Sequence, residues 1–293
     1  MEIEVAIDAH AIIGESPTWS VPERALYWID IKEPALHRFD PHSGASRSWR
    51  VGSDIGAFAF TRDGRALLAL RQGIQRLNLA TGAIERLAPP PFDAKLFRFN
   101  EGMCDSGGRF WVGVMFDPVE GPQAPEAGFL HSFTLRDGLR QENDKAELHN
   151  GMALSGDGRR FFVSHSNAGA IYTFDFDPQA GLLGAAELFA QVPPALGLPD
   201  GAAIDVEGGY WCAVHGGGRL HRYTPDGRLD REILLPIRKP TMCAFGGDDL
   251  DTLYVTSASD GLDADQLRAE PLAGAVLRLR PGVAGIARPC TVC

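Results

Sequence analysis

Short apolar runs of the kind that form β-strands alternate with Gly-containing turns along the chain, in one pattern that repeats six times. Each repeat spans about 40 to 50 residues, the length expected for the four strands of one propeller blade. Long amphipathic helical windows are missing. The pattern therefore predicts an all-β, six-bladed β-propeller formed by residues 1–293 as a single domain. The repeats begin at Ala25, Arg65, Arg109, Arg160, Tyr210 and Thr252.

A further apolar segment precedes each repeat and predicts the innermost strand of its blade. These segments read SPTW, GAFAF, GMCD, GMALS, GAAID and MCAF. Segments such as RSWRV, AIERLA, AELFAQV and REILLPI predict the outermost strands. The opening segment EIEVAID has no blade before it, so we expect it to pair with the last blade and close the ring, which removes two exposed sheet edges.

Polar side chains recur in one slot just before the innermost strands. Because the first strand of each blade lies innermost, equivalent slots surround the central channel at one height, and we expect their side chains to converge there. Aligned on the apolar run that follows, the slot holds Glu15, Ile55 or Gly56, Asn100, Asn150, Asp200 and Thr241.

Carboxylates and carboxamides that converge in a narrow channel repel one another or lack partners unless a cation lies between them. The pattern therefore predicts one divalent cation bound by Glu15, Asn150 and Asp200. Oxygen ligands favour Ca²⁺, Mg²⁺ or Mn²⁺, and carboxylate-rich sites also bind Fe²⁺ or Zn²⁺. Taken singly, the Asn-Gly and Asp-Gly pairs at Asn150 and Asp200 are more often turns. Glu15 precedes Ser-Pro, gains little as a turn residue and agrees in phase with the other two, which favours the metal interpretation.

Charge and composition narrow the choice of partners. The net charge is −10 and the basic residues are scattered, which disfavours a nucleic acid or an anionic membrane surface. The first residues lack the features of a secretory signal, and no run approaches the roughly 18 apolar residues of a membrane-spanning helix. A cytoplasmic monomer is expected. The five cysteines fit reduced thiols, and the C-x-x-C pair of Cys290 and Cys293 is interpreted as part of a terminal tail.

Several other side chains lie near the predicted channel. Arg98 and Asn100 suit a polyol or a carboxylate ligand at the channel mouth. His149, His165 and His215 lie near strand starts or within strands, where a lone histidine is more often structural than a ligand, so they are left outside the predicted site. The tryptophans that recur in the blades are interpreted as packing between blades.

Five ordered sequence blocks resemble one known family. They read GESPTW, RFNEGMCDSGGRFWVGVM, NGMALSGDG, LPDGAAIDVEGGYW and CAFGGDDLDTLYVTSA. In this order they are similar to the family of gluconolactonases and regucalcin (senescence marker protein), across nearly the whole chain. The resemblance implies a six-bladed propeller that holds one divalent ion and hydrolyses aldonolactones, the cyclic esters of sugar acids.

The resemblance also implies roles for single residues. The metal-binding Glu, Asn and Asp of the family fall on Glu15, Asn150 and Asp200, the same residues that the repeat selects. The substrate-orienting Arg and Asn fall on Arg98 and Asn100. A sugar lactone is therefore the expected partner.

Three positions depart from the family pattern. Glu101 stands where the family often has Asp, and we group it with the substrate-binding residues. His165 also stands where Asp is frequent, and Phe116-Asp117-Pro118 follows the strand after which some members place a substrate-contacting Glu. These changes leave the identity of the sugar open, but they do not alter the reaction that the resemblance implies.

For the reaction, we expect the cation to act as a Lewis acid on the lactone carbonyl and Asp200 to act as general base on the attacking water. Another ester or organophosphate hydrolase on the same scaffold is the alternative among enzymes, because a fold alone does not determine chemistry. A non-catalytic calcium-binding or protein-docking propeller is the alternative outside them.

Overall fold

The protein forms a ring of six antiparallel, four-stranded sheets in a computed structural model that describes residues 1–121 and 123–289. In the described part of the chain, one short helix, α1 (Ala264–Ala269), and two 3₁₀ turns (Ser166–Ala168 and Pro194–Leu196) connect strands. No helix in these ranges is long and apolar enough to cross a membrane. The strands, in chain order, are β1 (Ile3–Ile7), β2 (Gly14–Ser20), β3 (Ala25–Asp30), β4 (Ala35–Phe39), β5 (Ser46–Arg50), β6 (Ile55–Phe60), β7 (Arg65–Leu70), β8 (Gly73–Asn78), β9 (Ile84–Ala88), β10 (Phe97–Cys104), β11 (Phe110–Phe116), β12 (Gly128–Thr134), β13 (Gly138–Ala146), β14 (His149–Leu154), β15 (Arg160–His165), β16 (Ala170–Asp177), β17 (Leu182–Gln191), β18 (Leu198–Ile204), β19 (Tyr210–His215), β20 (Arg219–Tyr223), β21 (Leu229–Leu234), β22 (Pro240–Gly246), β23 (Thr252–Ser257) and β24 (Val276–Leu279).

Each of the first five blades consists of four consecutive strands, starting with β2, β6, β10, β14 and β18. Blade 6 contains β22, β23 and β24, and its outermost strand is β1 from the start of the chain. Ile3 pairs with Leu279 and Val5 with Leu277. The predicted six-bladed fold and the closure of its ring are therefore confirmed.

Aromatic side chains pack between neighbouring blades. Trp111 of blade 3 is fully buried; its Nε1 donates to Asp105 at 2.9 Å, and its ring centre lies 4.9 Å from that of Phe161 in blade 4. Trp19 of blade 1 stacks on Tyr254 of blade 6 at 5.8 Å. Truncation of such a buried aromatic residue to alanine costs about 3 to 5 kcal/mol, so these contacts hold the blades, and thereby the channel walls, in place.

The thiols are not part of a disulfide framework in the described ranges. Cys212 and Cys243 are buried, and burial raises the pKa of both thiols. Cys290 and Cys293 lie outside the described residues.

All six innermost strands carry an irregularity of pairing at the slot predicted from the repeat. Such β-bulges bend a strand and turn a side chain out of the regular ladder, and they are frequent next to active sites. In this ring they act on equivalent positions of all six blades. The pairing shifts between Glu15 and Thr18, Ile55 and Ala57, Phe99 and Gly102, Asn150 and Ala153, Pro199 and Ala202, and Pro240 and Cys243.

Candidate functional site

The slot residues lie in the first halves of the innermost strands, around the axis of the ring. Glu15, Asn100, Asn150, Asp200 and Thr241 belong to β2, β10, β14, β18 and β22, and all five are buried. Neighbouring innermost strands contact each other in sequence around the ring. The fold therefore places side chains that are far apart in the chain at one channel.

A chain of hydrogen bonds links the slot residues of blades 3 and 4 to the backbone of blade 5. Arg98 Nη1 donates to Asn100 Oδ1 at 2.7 Å, and Asn100 Nδ2 donates to Asn150 Oδ1 at 2.5 Å. Asn150 Nδ2 then donates to Ser166 Oγ at 2.9 Å, and Ser166 Oγ donates to the carbonyl of Pro199 at 2.7 Å. Each carboxamide is thus fixed in one orientation, with its oxygen toward blade 3 and its nitrogen toward blade 4.

Arg98 uses most of its donors within the protein. Besides the bond to Asn100, Nη1 donates to the carbonyl of Phe99 at 3.0 Å, Nε donates to Asp117 at 3.0 Å, and Nη2 lies 3.0 Å from the sulfur of Met115. A guanidinium has five N–H donors, so these four contacts leave one. Arg98 therefore holds Asn100 in place and has little capacity left for a second partner.

Asp117 accepts hydrogen bonds from three cationic side chains beside the channel. Its Oδ2 accepts from Lys32 Nζ at 3.0 Å, from Arg98 and from Arg71. Lys32 and Arg71 also donate to Asp54. Burial by itself raises the pKa of Asp117, but these cations outweigh burial and hold that pKa below its usual range. Asp117 therefore anchors Arg98 and with it the whole hydrogen-bonded chain.

Glu101 joins blade 3 to blade 4. Its Oε2 accepts from the backbone amide of Gly151 at 2.8 Å, and its Oε1 accepts from that of Met152 at 2.5 Å. Gly151 has φ +59°, and a Cβ there would lie 2.2 Å from Ser164 Oγ and 2.4 Å from Tyr210 Oη, so only glycine fits. Both oxygens of Glu101 thus hold the strand that carries Asn150.

Three buried carboxyl groups share this region with two cations. Burial and the charge of Glu101 raise the pKa of Glu15 to about 8, and burial raises the pKa of Glu101 to about 7. Burial, Glu15 and Glu101 together raise the pKa of Asp200 well above its usual range. Arg98 and Arg288 oppose these shifts without cancelling them. Without a further positive charge, the group holds protons at neutral pH.

The donor set fits a hard divalent cation. Glu15 and Asp200 offer carboxylate oxygens, and Asn150 Oδ1, which accepts one hydrogen bond, has a second lone pair. Next to Glu15, the hydroxyl of Ser16 is buried without a hydrogen-bond partner among the described residues. An ion at this place would relieve the repulsion between the carboxylates, and it would be held by oxygen atoms, which Ca²⁺ and Mg²⁺ prefer.

Metal binding to this group should release protons at neutral pH. A carboxyl whose pKa lies above the ambient pH, as that of Glu15 does at neutral pH, is protonated when no metal is bound, and a metal ligand must lose that proton. We expect about one proton released per Ca²⁺ bound and an apparent affinity that increases from about pH 6 to about pH 8. In the metal-free protein the sign is opposite: Glu15 costs stability progressively as the pH rises from 4.5 to about 8.

Calorimetric Ca²⁺ titrations in buffers of different ionisation enthalpy measure this proton release directly. The same titrations at several pH values give the change in affinity. Binding that releases no proton and does not depend on pH would contradict the raised pKa values of Glu15 and Asp200.

A second group of ligand-type side chains lies between blades 3 and 4. Asp144 is on β13, His149 on β14 and His165 on β15, and one ligand atom from each lies within 4.8 Å of the others. Burial by itself favours the protonated carboxyl, but the two imidazoles outweigh it and hold the pKa of Asp144 well below its usual range. His215, at the end of β19, is not a member of this group, and burial lowers its pKa to about 4.

Sequence reasoning missed Arg288 and Asp144. Arg288 lies after the last repeat, where no pattern marks it, yet its Nη2 donates to the carbonyl of Ala202 at 3.0 Å and its charge acts on Glu101 and Glu15. Asp144 lies in a strand with several other charged residues, so nothing in its neighbourhood singles it out. Their contacts arise only when distant strands meet.

These features define the class of the protein as a six-bladed β-propeller with a buried, oxygen-rich group at the axis of its ring. The family described as "SMP-30/Gluconolactonase/LRE-like region" matches residues 13–259. The chain belongs to this family.

Two relatives and one solved structure show how far the similarity extends. The 6-deoxy-6-sulfogluconolactonase of Pseudomonas putida is 38% identical over 282 residues, which cover 95% of this chain and 94% of that protein. Pentonolactonase XacC of Haloferax volcanii is 32% identical over 295 residues, covering 99% and 97%. The crystal structure of regucalcin from Agrobacterium tumefaciens, described as a calcium-binding protein, is 26% identical with a TM-score of 0.93 and covers 100% and 98%.

Proposed function

We propose that this protein hydrolyses a sugar-acid lactone to the open-chain aldonic acid and depends on one divalent cation. The observation that carries the proposal is the convergence of Glu15, Asn150 and Asp200, with their raised carboxyl pKa values, at the axis of the ring. The names of the relatives, a sulfogluconolactonase and a pentonolactonase, support a lactone as substrate. The proposal treats residues 1–293 as one domain, because β1 completes the last blade.

Glu15, Asn150 and Asp200 would hold the cation, which supplies a Lewis acid for the carbonyl group of the lactone and lowers the pKa of water. The oxygen donors suit Ca²⁺, Mg²⁺ or Mn²⁺, and Fe²⁺ or Zn²⁺ also fit a carboxylate-rich site. The similarity to a calcium-binding regucalcin supports Ca²⁺ as the first ion to test.

Asp200 is proposed as the general base. Its carboxylate would accept a proton from the attacking water and return it to the ring oxygen as the ester bond breaks. Burial and the neighbouring carboxyls of Glu15 and Glu101 raise its pKa when no metal is bound, and a bound cation would leave it ionised, the state that a general base requires.

Asn100, Arg98 and Glu101 are proposed to position the substrate. Asn100 would contact the sugar, and Arg98 acts mainly through Asn100, because four of its contacts lie within the protein. Glu101 acts through the backbone of Gly151 and Met152, which places Asn150. The substrate is thereby oriented by a channel wall that is rigid before binding.

Arg98→Ala should reduce kcat/KM for the best lactone by about 10- to 100-fold, because Asn100 loses the charge-assisted hydrogen bond that orients it. It should also lower Tm by about 3 °C or more, because Asn100 and Asp117 each lose a buried partner. Steady-state kinetics and thermal unfolding measure the two effects. Arg38→Ala, which removes an ion pair with Glu23 in blade 1, is the control and should change neither much. An Arg98→Ala protein with full kcat/KM would remove Arg98 from this role.

A lactone screen tests the proposed function. Metal-stripped protein is supplied with each divalent ion in turn and assayed with a pH indicator on gluconolactone, xylonolactone, arabinonolactone and galactonolactone, with spontaneous hydrolysis subtracted. Aryl esters and an organophosphate are assayed in parallel. We expect metal-dependent turnover of a lactone that exceeds turnover of the other esters. Preferred cleavage of an aryl ester or organophosphate would replace the proposal with the alternative hydrolase.

A calcium-binding propeller without turnover is the second candidate, because the solved regucalcin structure is described as that of a calcium-binding protein. It predicts tight Ca²⁺ binding at the central group, by which we mean Glu15, Asn150 and Asp200 at the axis of the ring. It also predicts no lactone hydrolysis with any added ion. The calorimetric titration and the lactone screen together separate the two candidates.

A further inference from the structure

We propose that Asp144, His149 and His165 form a second metal site, separate from the central group, which binds a borderline transition ion such as Zn²⁺ between blades 3 and 4. His165 Nε2 lies 2.9 Å from Asp144 Oδ2, and His149 Nε2 lies 3.4 Å from the same oxygen. Ligand atoms of a tetrahedral zinc site lie roughly 3.3 Å apart, given bonds of about 2.0 to 2.1 Å. The three side chains are therefore close to the arrangement that such an ion requires.

His149 provides an independent indication of a ligand. Its side chain is completely buried, and its Nε2 makes no hydrogen bond among the described residues beyond a long contact of 3.4 Å with Asp144 Oδ2. Its Nδ1 lies 3.3 Å from both the carbonyl oxygen and the amide nitrogen of Val114, so it can donate to the first or accept from the second. The tautomer that donates Nδ1–H to this carbonyl leaves the lone pair of Nε2 free, which is the usual arrangement of a metal-bound histidine. A bound ion would favour this tautomer and replace the long contact with Asp144 by a bond to the Nε2 lone pair.

The ligand types select the class of ion. Two imidazoles and one carboxylate suit Zn²⁺, Fe²⁺ and related ions, whereas the central group offers only oxygen atoms. A cleft of about 290 Å³, lined by residues 145–148 and by His165, Asn167 and Ala168, adjoins the group. The cleft leaves room for water or a small ligand at a further coordination position.

The second site is separate from the channel because successive side chains in a strand point to opposite faces. His149 precedes Asn150, and its side chain lies against Gly113 of blade 3, where a Cβ would come within 2.4 Å of the His149 Cβ. The carbonyl of His149 accepts from Asn100 Nδ2 at 3.0 Å. An ion here would tie the outermost strand of blade 3 to blade 4 and stabilise the wall that carries Asn100 and Asn150.

Cobalt provides the probe, because Co²⁺ bound through imidazole at low coordination number absorbs visible light more strongly than Co²⁺ held by oxygen ligands. Metal-stripped protein is saturated with Ca²⁺ and titrated with Co²⁺. We expect one equivalent of strongly absorbing Co²⁺, lost in His165→Gln and kept in Glu15→Gln, which alters only the central group. His42→Gln, at an exposed histidine, is the matched control and should bind like the wild type. Zn²⁺ at about 100 times its Kd should raise Tm by about 5 °C in the wild type and not in His165→Gln.

The proposal is overturned if the strong absorption is absent, persists in His165→Gln, or disappears in Glu15→Gln. The first result would show that the three side chains form only an ion pair, and the last would assign the ion to the central group. Should His165→Gln fail to fold, Asp144→Asn replaces it with the same expected loss. Because these readouts measure binding and not lactone turnover, the second site and the proposed function can fail independently.

Discussion

Asp200→Asn should retain the fold and most of the bound metal but reduce kcat for the lactone about 100- to 10,000-fold, the contribution of a positioned general base. Asparagine has nearly the same shape and keeps one oxygen ligand, but it cannot accept the proton of the attacking water. The metal-free variant should be at least as stable as the wild type, because it no longer buries an ionisable carboxyl beside Glu15 and Glu101.

Three measurements on Asp200→Asn decide its role: kcat at saturating lactone, metal content after dialysis, and Tm without metal. Asp226→Asn makes the same chemical change in the same blade, at the exposed turn between β20 and β21, and serves as control. We expect the control to keep wild-type turnover. Full turnover in Asp200→Asn with its metal bound would mean that another group accepts the proton.

Glu15→Gln should weaken binding of the divalent ion by about 100-fold or more. Mutation of a residue that only hydrogen-bonds to a metal ligand already lowers metal affinity by about 10- to 100-fold. Glu15 is proposed as a direct ligand, so its loss should have at least this effect. Glutamine keeps an oxygen of similar reach, so the loss reports the negative charge, on which a hard cation depends most. Lactone turnover should fall at low metal concentration and recover in part when excess Ca²⁺ is added.

Mass spectrometry of dialysed protein and calorimetric titration with Ca²⁺ measure the loss in Glu15→Gln. Glu33→Gln, an exposed substitution in blade 1 between β3 and β4, is the matched control and should bind Ca²⁺ normally. Equal metal content in Glu15→Gln and the wild type would remove Glu15 from the ligand set. In that case, the raised pKa of Glu15 would mark only a buried carboxyl next to Glu101.

The architecture was predictable because a propeller is a local pattern repeated. Each blade needs its own apolar strands and turns, so its signal lies within about 50 residues and recurs six times. The pairing of the segment Ile3–Ile7 with the last blade is predictable for a similar reason, because an unpaired strand has to find a free sheet edge. The number of blades follows from the local sequence of each repeat, and the pairing of the first strand follows from the topology of a closed ring.

The central group was accessible to the sequence only in part. Equivalent positions in a repeat occupy equivalent places around the axis, so the phase of Glu15, Asn150 and Asp200 predicted that they meet. The phase does not show which way each side chain turns. The β-bulges at the slot and the hydrogen bonds from Arg98 to Asn100 determine that, and both depend on the pairing between strands.

By itself, the sequence determined the number of blades, the closure of the ring and the slot that faces its axis, because a repeat of fixed period can be recognised in the amino-acid sequence alone. Only the tertiary structure brought Arg288 beside Glu101, attached Asp117 to three cations, and placed Asp144 next to His149 and His165. These contacts join side chains from different blades or from outside the repeat, and no periodic signal records them. Their energies depend on burial and on distances of a few ångströms, which arise only when the sheets pack against one another.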